Sequence, residues 1–229
     1  MSIAASIEQV EERILKACLR SGRKRDEITF MGVTKFQPIE AIEAAWNGGL
    51  RCFGESRVQE AVGKFDGFRE GHPGMELHMV GSLQRNKAKL AATLFDCVQS
   101  LDRDVLAEEL AKHAAGRDRP LPVLLELRTG EDSKSGFADT DSLFRAAELA
   151  LGQPSLSVRG LMTIAPNTAD EGPVRAAFRL MAKTQQELDR RFPGCWSCLS
   201  MGMSSDYEIA IEEGSTMLRI GSIIFGERP

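Results

Sequence analysis

This sequence is poor in several things at once. Among 229 residues there are one tyrosine, two tryptophans and three histidines. No stretch approaches the ~18 consecutive apolar residues of a membrane-spanning helix. The opening residues, MSIAASIEQVEERILK, carry acids early and no apolar run, so no secretory signal peptide is expected. A formal net charge of −4 leaves no electrostatic footprint for nucleic acid. The single dense basic run, Arg20 to Arg25, reads as the solvated end of a helix. The five cysteines are odd in number and lack a framework spacing, as expected in a reducing cytoplasm. Cys195-Trp-Ser-Cys198 has metal or redox spacing, but no second pair completes a zinc site, so packed thiols and no metal are expected. There is no linker rich in Pro, Gly or Ser and no low-complexity segment, so residues 1–229 are expected to form one domain.

What is present is an alternation of short apolar runs with helical stripes. Ile7, Val10, Ile14, Leu15 and Cys18 mark one face of an opening helix. Eight strands follow, at Ile28 to Val33, Arg51 to Gly54, Leu77 to Val80, Cys97 to Leu101, Pro122 to Leu127, Val158 to Ile164, Cys198 to Met201 and Met217 to Ile220. Each is followed by a helical pattern. Pro38 is expected in the first turn of the first of these helices, Ser56-x-x-Gln59 has the form of a capping box, Asp102 is the expected N-cap after the fourth strand, and Ser205-Asp-Tyr-Glu208 caps a short helix after the seventh. Strands alternating with helices imply a parallel sheet, and eight close a barrel, so the expected fold is a (β/α)₈ TIM barrel with an extra N-terminal helix. An open doubly wound sheet is weakened by the lack of Gly-x-Gly-x-x-Gly after the first strand.

In such a barrel the chemistry sits where strands end and loops begin. Lys35 stands just beyond the first strand. It is either a solvated lysine capping the strand or an amine that attacks a carbonyl to give a Schiff base. The loops after the seventh and eighth strands, Gly202 to Asp206 and Arg219 to Ser222, are rich in the small and hydroxylated residues that let backbone amides approach a phosphate. His78 opens the run into the third loop, either as a structural histidine or as a residue facing a bound ring. Tyr207 is expected to pack. Lys134-Ser135-Gly136 reads as a solvated loop or a segment involved in ligand exchange.

Several segments together resemble a known family. They are Val33-Thr34-Lys35, Phe53-Gly54-Glu55-Ser56-Arg57-Val58-Gln59-Glu60, the run from His78 to Lys87, Gly160 to Thr163, Leu199 to Ser204 and Gly214 to Gly221. Their pattern is similar to that of the pyridoxal phosphate homeostasis protein family, also called the YggS or proline synthase co-transcribed family, and the resemblance covers nearly the whole chain. It implies a monomeric or loosely associated barrel of the alanine racemase N-terminal type that binds, stores or delivers pyridoxal 5′-phosphate. By the same resemblance Lys35 is the Schiff-base lysine, Ser204, Gly221 and Ser222 form the phosphate cup, and Arg219 faces the pyridine nitrogen. Ser222 stands where the family often has Thr, and Ser56 where it usually has Asn, which leaves contact from Ser56 to the cofactor open.

An arginine does not readily give up its proton, so the ring nitrogen beside it stays unprotonated and the ring is a weak electron sink. The expectation is therefore a binding protein without catalytic turnover, whose partners are the cofactor and apo-enzymes that use it. The alternatives are a racemase-like enzyme using the cofactor and an aldolase in which Lys35 reacts directly with a sugar phosphate.

Overall fold

A computed structural model describes residues 2–131 and 135–226. The chain runs α1 (Ile3–Ser21), β1 (Thr29–Val33), α2 (Ile39–Asn47), β2 (Cys52–Glu55), α3 (Val58–Phe65), β3 (Glu76–Met79), α4 (Ala88–Leu94), β4 (Cys97–Leu101), α5 (Asp104–Ala114), β5 (Leu121–Glu126), α6 (Thr140–Leu151), β6 (Leu156–Met162), α7 (Glu171–Arg191), β7 (Cys198–Ser200), α8 (Tyr207–Glu212), β8 (Met217–Ile220) and α9 (Ser222–Phe225). The eight strands are parallel and close in chain order, β8 pairing with β1 through Phe30–Leu218 and Met31–Arg219. This is the expected (β/α)₈ barrel with its extra helix at the start.

Side chains alternate along each strand, one inward and the next toward the helices. The outward residues and the inner faces of the helices make the main core. Phe53, Phe65, Phe95 and Phe178 are among its fully buried members, each contributing roughly 1.5–3 kcal/mol by leaving water. Inside the barrel a smaller apolar cluster of Cys97, Leu124 and Met162, with Cys198 and Ile164 against it, fills one side. The rest of the interior is polar. His78, Gln99, Ser200 and Arg219 occupy inward positions of four different strands and are all buried.

Several sequence expectations about helix ends are corrected. Ser56 does not cap α3; Arg57 holds the cap position and no side chain caps it. Arg103, not Asp102, precedes α5, and Asp102 instead accepts a hydrogen bond from Arg103 Nη1 at 2.5 Å. Asp206 precedes α8, and its carboxylate accepts from the Met203 amide rather than from the helix. Pro38 is the N-cap of α2 and lies just outside its first turn. For Asp102 and Asp206, a neighbouring loop group takes the carboxylate that the cap pattern claimed. Leu15 is 47% exposed, so the buried stripe of α1 is Ile7, Val10, Ile14, Ala17 and Cys18. Arg13 and Arg20 on α1 bind Glu208 at 2.6 and 2.8 Å, and Arg20 binds Glu212 at 3.1 Å, which ties α1 to α8.

Candidate functional site

The C-terminal ends of the strands gather most of the residues singled out from the sequence. Lys35 stands two residues beyond the end of β1, and the chain is fixed on both sides of it. Before it, the Thr34 carbonyl accepts from Lys64 Nζ at 2.7 Å, and the Thr34 hydroxyl donates to Glu55 Oε1 at 2.7 Å. After it, the Phe36 amide donates to Glu60 Oε1. Lys64 bridges Glu55 and Glu60 at 3.1 and 2.6 Å, so one ion-pair cluster on the outer face of the barrel holds the strand end. Phe36 has φ of 65°, a left-handed backbone that costs a non-glycine residue energy and is found where surroundings over-determine the chain. Burial raises the Glu55 pKa, with Thr34 and Lys64 acting against it.

The loops after β7 and β8 meet as expected. The Gly221 amide donates to Ser204 Oγ at 3.3 Å, and Ser222 begins α9 beside them. Gly202 makes the turn possible. Its φ is 97°, and a Cβ there would lie 2.6 Å from the Ala210 Cβ. Ser56 lies at the same end, its backbone against Gly81, where an added Cβ would come within 2.4 Å of the Ser56 carbonyl oxygen. Tyr207 is buried on the helix side with Arg13 5.3 Å above its ring, so it packs as expected. Lys134 lies outside the described residues.

Arg219 is 5% exposed. Its Nη1 donates to Ser200 Oγ at 2.8 Å and its Nη2 to the Thr163 carbonyl at 2.7 Å. Ser200 Oγ donates to Gln99 Oε1 at 2.7 Å, and Gln99 Nε2 lies 2.8 Å from His78 Nδ1. A chain of hydrogen bonds thus descends from the mouth toward the floor. His78 is therefore not at a strand's C-terminal end. It lies in the interior, and its Nε2 points to Glu76 at 3.5 Å. Burial disfavours the charged ring, but Cys52 and Glu76 outweigh it and push the pKa up to about 10. In the charged form Nδ1 carries a proton, and Gln99 must then turn its amide so that the oxygen accepts it.

Sequence reasoning missed Glu126. It is the last residue of β5, 2% exposed, and its Oε1 accepts from Ser135 Oγ at 2.8 Å. Its Oε2 has no hydrogen-bond partner among the described residues. Burial raises its pKa to about 7, with Asp102 adding to the rise and Arg219 opposing it. Gln99, Ser200 and the Glu55–Glu60–Lys64 cluster were missed as well. Glu55 and Glu60 lie within the quoted Gly-Glu-Ser motif, but nothing in their spacing shows that they grip the chain on either side of Lys35.

These features suit an anionic, ring-bearing ligand. The hydroxyl and amide corner fits a phosphate, the buried guanidinium fits an acceptor nitrogen, and an amine stands at the neighbouring strand end. The alanine racemase N-terminal domain family matches residues 17–229. A pyridoxal phosphate homeostasis protein of Vibrio cholerae is 44% identical over 230 residues, covering 99% of this chain and 97% of that one. The chain belongs to the pyridoxal phosphate homeostasis protein family. Two solved structures extend the likeness. A protein from Bifidobacterium adolescentis superposes with a TM-score of 0.91 at 33% identity, covering 97% of this chain and 94% of that one. PipY of Synechococcus elongatus PCC7942, with PLP bound, does so with a TM-score of 0.82 at 34% identity, covering 95% and 100%. Among the described residues no helix is long and apolar enough to cross a membrane.

Proposed function

We propose that this member of the pyridoxal phosphate homeostasis protein family binds pyridoxal 5′-phosphate at the barrel mouth. It acts in the cytoplasm, as a monomer, to hold the cofactor and deliver it to apo-enzymes, without turnover of its own. The observation that carries this reading is the meeting of Ser204 and Gly221 at 3.3 Å beside a buried Arg219 and the strand end that bears Lys35. Ser204, Gly221 and Ser222 receive the phosphate, and Lys35 supplies the amine for the aldehyde. Ser56 borders the same mouth. His78 acts at a distance, through Gln99 and Ser200. When bound, the cofactor supplies an electron-withdrawing pyridine ring. Arg219 offers that ring N–H donors and no acid proton, which keeps it a weak electron sink.

The purified protein is expected to absorb visible light, to bleach with borohydride and to carry the reduced adduct on Lys35 by peptide mapping. An adduct on another lysine refutes the assignment. A racemase-like activity is the second reading, and Glu126 is the observation that favours it: a buried carboxyl with one unpartnered oxygen and a pKa of about 7 is suited to move a proton. Deuterium wash-in at the α-carbon of alanine separates the two. Exchange at ~1 s⁻¹ or faster, the scale of ordinary turnover, that is lost in both Lys35→Ala and Glu126→Gln establishes the enzyme. Exchange no faster than with free cofactor supports the carrier.

A further inference from the structure

The floor of the barrel, opposite the mouth, holds a second cluster of reactive side chains. Cys52 opens β2 and Glu76 opens β3, and the two residues are register partners. His78 lies one inward position above Glu76 on the same strand. The Cys52 thiol, a Glu76 carboxylate oxygen and a His78 ring nitrogen all lie within 4.8 Å of one another. Cys52 and His78 are buried, whereas the Glu76 side chain is 62% exposed.

We propose that Cys52, Glu76 and His78 form a divalent-metal site of the zinc type at the floor of the barrel, open to solvent at Glu76. A thiolate, an imidazole and a carboxylate are the three ligand classes that zinc takes. Three protein ligands with water in the fourth position make an open tetrahedral site. Such bonds, at 2.0–2.3 Å, put ligand atoms roughly 3.3–3.8 Å apart. His78 Nε2 and Glu76 Oε2 already stand at 3.5 Å. The Glu76 side chain is 62% exposed and can adjust its place around an ion without disturbing the core.

Charge favours the same conclusion. A thiolate and a carboxylate together neutralise a divalent ion, so the loaded site places no net charge at the end of the buried interior. The protons held between Cys52 Sγ and His78 Nε2 leave to solvent as the ion enters. The Gln99 side-chain amide stands 2.8 Å from His78 Nδ1, as the partner on the far nitrogen that orients a ligating imidazole.

Access is provided separately. A cleft of about 670 Å³ opens beside the N-terminal ends of β1 and β2. It reaches Cys52, and α1 contributes Glu8, Glu11 and Glu12 to its wall. Arg25 and Arg51 share that wall, and Arg25 pairs with Glu11 at 2.7 Å, so three carboxylates face two guanidinium groups.

The site is tested on the full chain, stripped with a chelator and titrated with zinc chloride against a chromophoric competitor. The expected result is one equivalent bound per chain, equally with the mouth loaded or empty of cofactor. Cobalt in place of zinc is expected to give a thiolate-to-metal charge-transfer band. Glu76→Gln, a surface change that leaves the core intact, should weaken binding at least about tenfold. Cys52→Ser should weaken it further and abolish the cobalt band, whereas Cys195→Ala should change neither. Absence of stoichiometric binding overturns the proposal. So does binding that survives Glu76→Gln and Cys52→Ser unchanged, or that is lost in Cys195→Ala.

Discussion

The two ends of the barrel interior are built in opposite ways. At the mouth, the candidate site is carried by loop residues and strand termini that lie in short contiguous motifs, and the fold has only to bring three such motifs together. At the floor, it is carried by single side chains, one or two per strand, that become neighbours only through register. The mouth is braced from outside, by Glu55, Glu60 and Lys64 around Lys35 and by α8 behind the Ser204 loop. The floor is braced from inside, by the chain of hydrogen bonds from His78 through Gln99 and Ser200 to Arg219. Loop-borne sites tolerate change and exchange ligands, while strand-borne sites are stiff. One barrel thus has room for an exchanging ligand at one end and a fixed cluster at the other.

The sharpest way to separate the two ends is Lys35→Ala. It should abolish the borohydride-sensitive absorbance completely while leaving zinc uptake and the thermal midpoint unchanged, because Lys35 carries no part of the core. Gly202→Ala should come next. A left-handed φ of 97° and a Cβ 2.6 Å from that of Ala210 force the Ser204 loop to shift, at a cost of about 2–4 kcal/mol from strain and overpacking. The midpoint should fall by several degrees, and cofactor retention measured by gel filtration should fall with it.

Ser200→Ala cuts the chain that joins the ends. It leaves Gln99 and Arg219 each short of a buried partner, worth about 1–3 kcal/mol, and should lower the midpoint without removing the absorbance. If both ends then lose their ligands together, they are one cooperative unit rather than two.

The effect of Glu126→Gln vanishes at low pH and appears only as pH rises. In the folded protein this carboxyl has a pKa of about 7, raised from 4.5. Folding therefore favours the protonated form. The contribution is complete below about pH 4.5 and is lost as pH rises through 7, by about 3 kcal/mol at most. The amide cannot ionise, so variant and wild type should melt together near pH 4.5, and the variant should melt a few degrees higher at pH 8. Equal midpoints at both pH values show that Glu126 is not buried as described.

The barrel was legible because its signal is periodic: eight apolar runs separated by helical stripes allow few other closures. Lys35, Ser204, Arg219, Gly221 and Ser222 were picked out because rules of the fold and a familiar motif pattern both point to strand ends, and the structure places them there. Glu126 was not. On paper it is one more acid at the end of a strand, and only closure shows that its inward position is sealed and one oxygen is left without a partner. The pairing of Cys52 with His78 escaped for a similar reason. They stand 26 residues apart in the sequence, and the metal-spacing rules applied to Cys195 and Cys198 look for ligands a few residues apart. Helix caps were misread wherever a loop at the mouth had another use for the capping residue, as with Asp206 and the Met203 amide.

The ion pair between Arg13 and Glu208 spans 195 residues of sequence, and the barrel likewise closes by joining its first strand to its last. During synthesis at about 5–20 residues per second, α1 leaves the ribosome roughly 10–40 s before the helix that it will clasp. Through that interval β1 has an unpaired edge, and the Ser204 corner has nothing behind it. Such a high contact order slows folding. The mouth is therefore the last part of the molecule to exist, and the growing chain cannot take up a ligand there until its eighth strand has emerged.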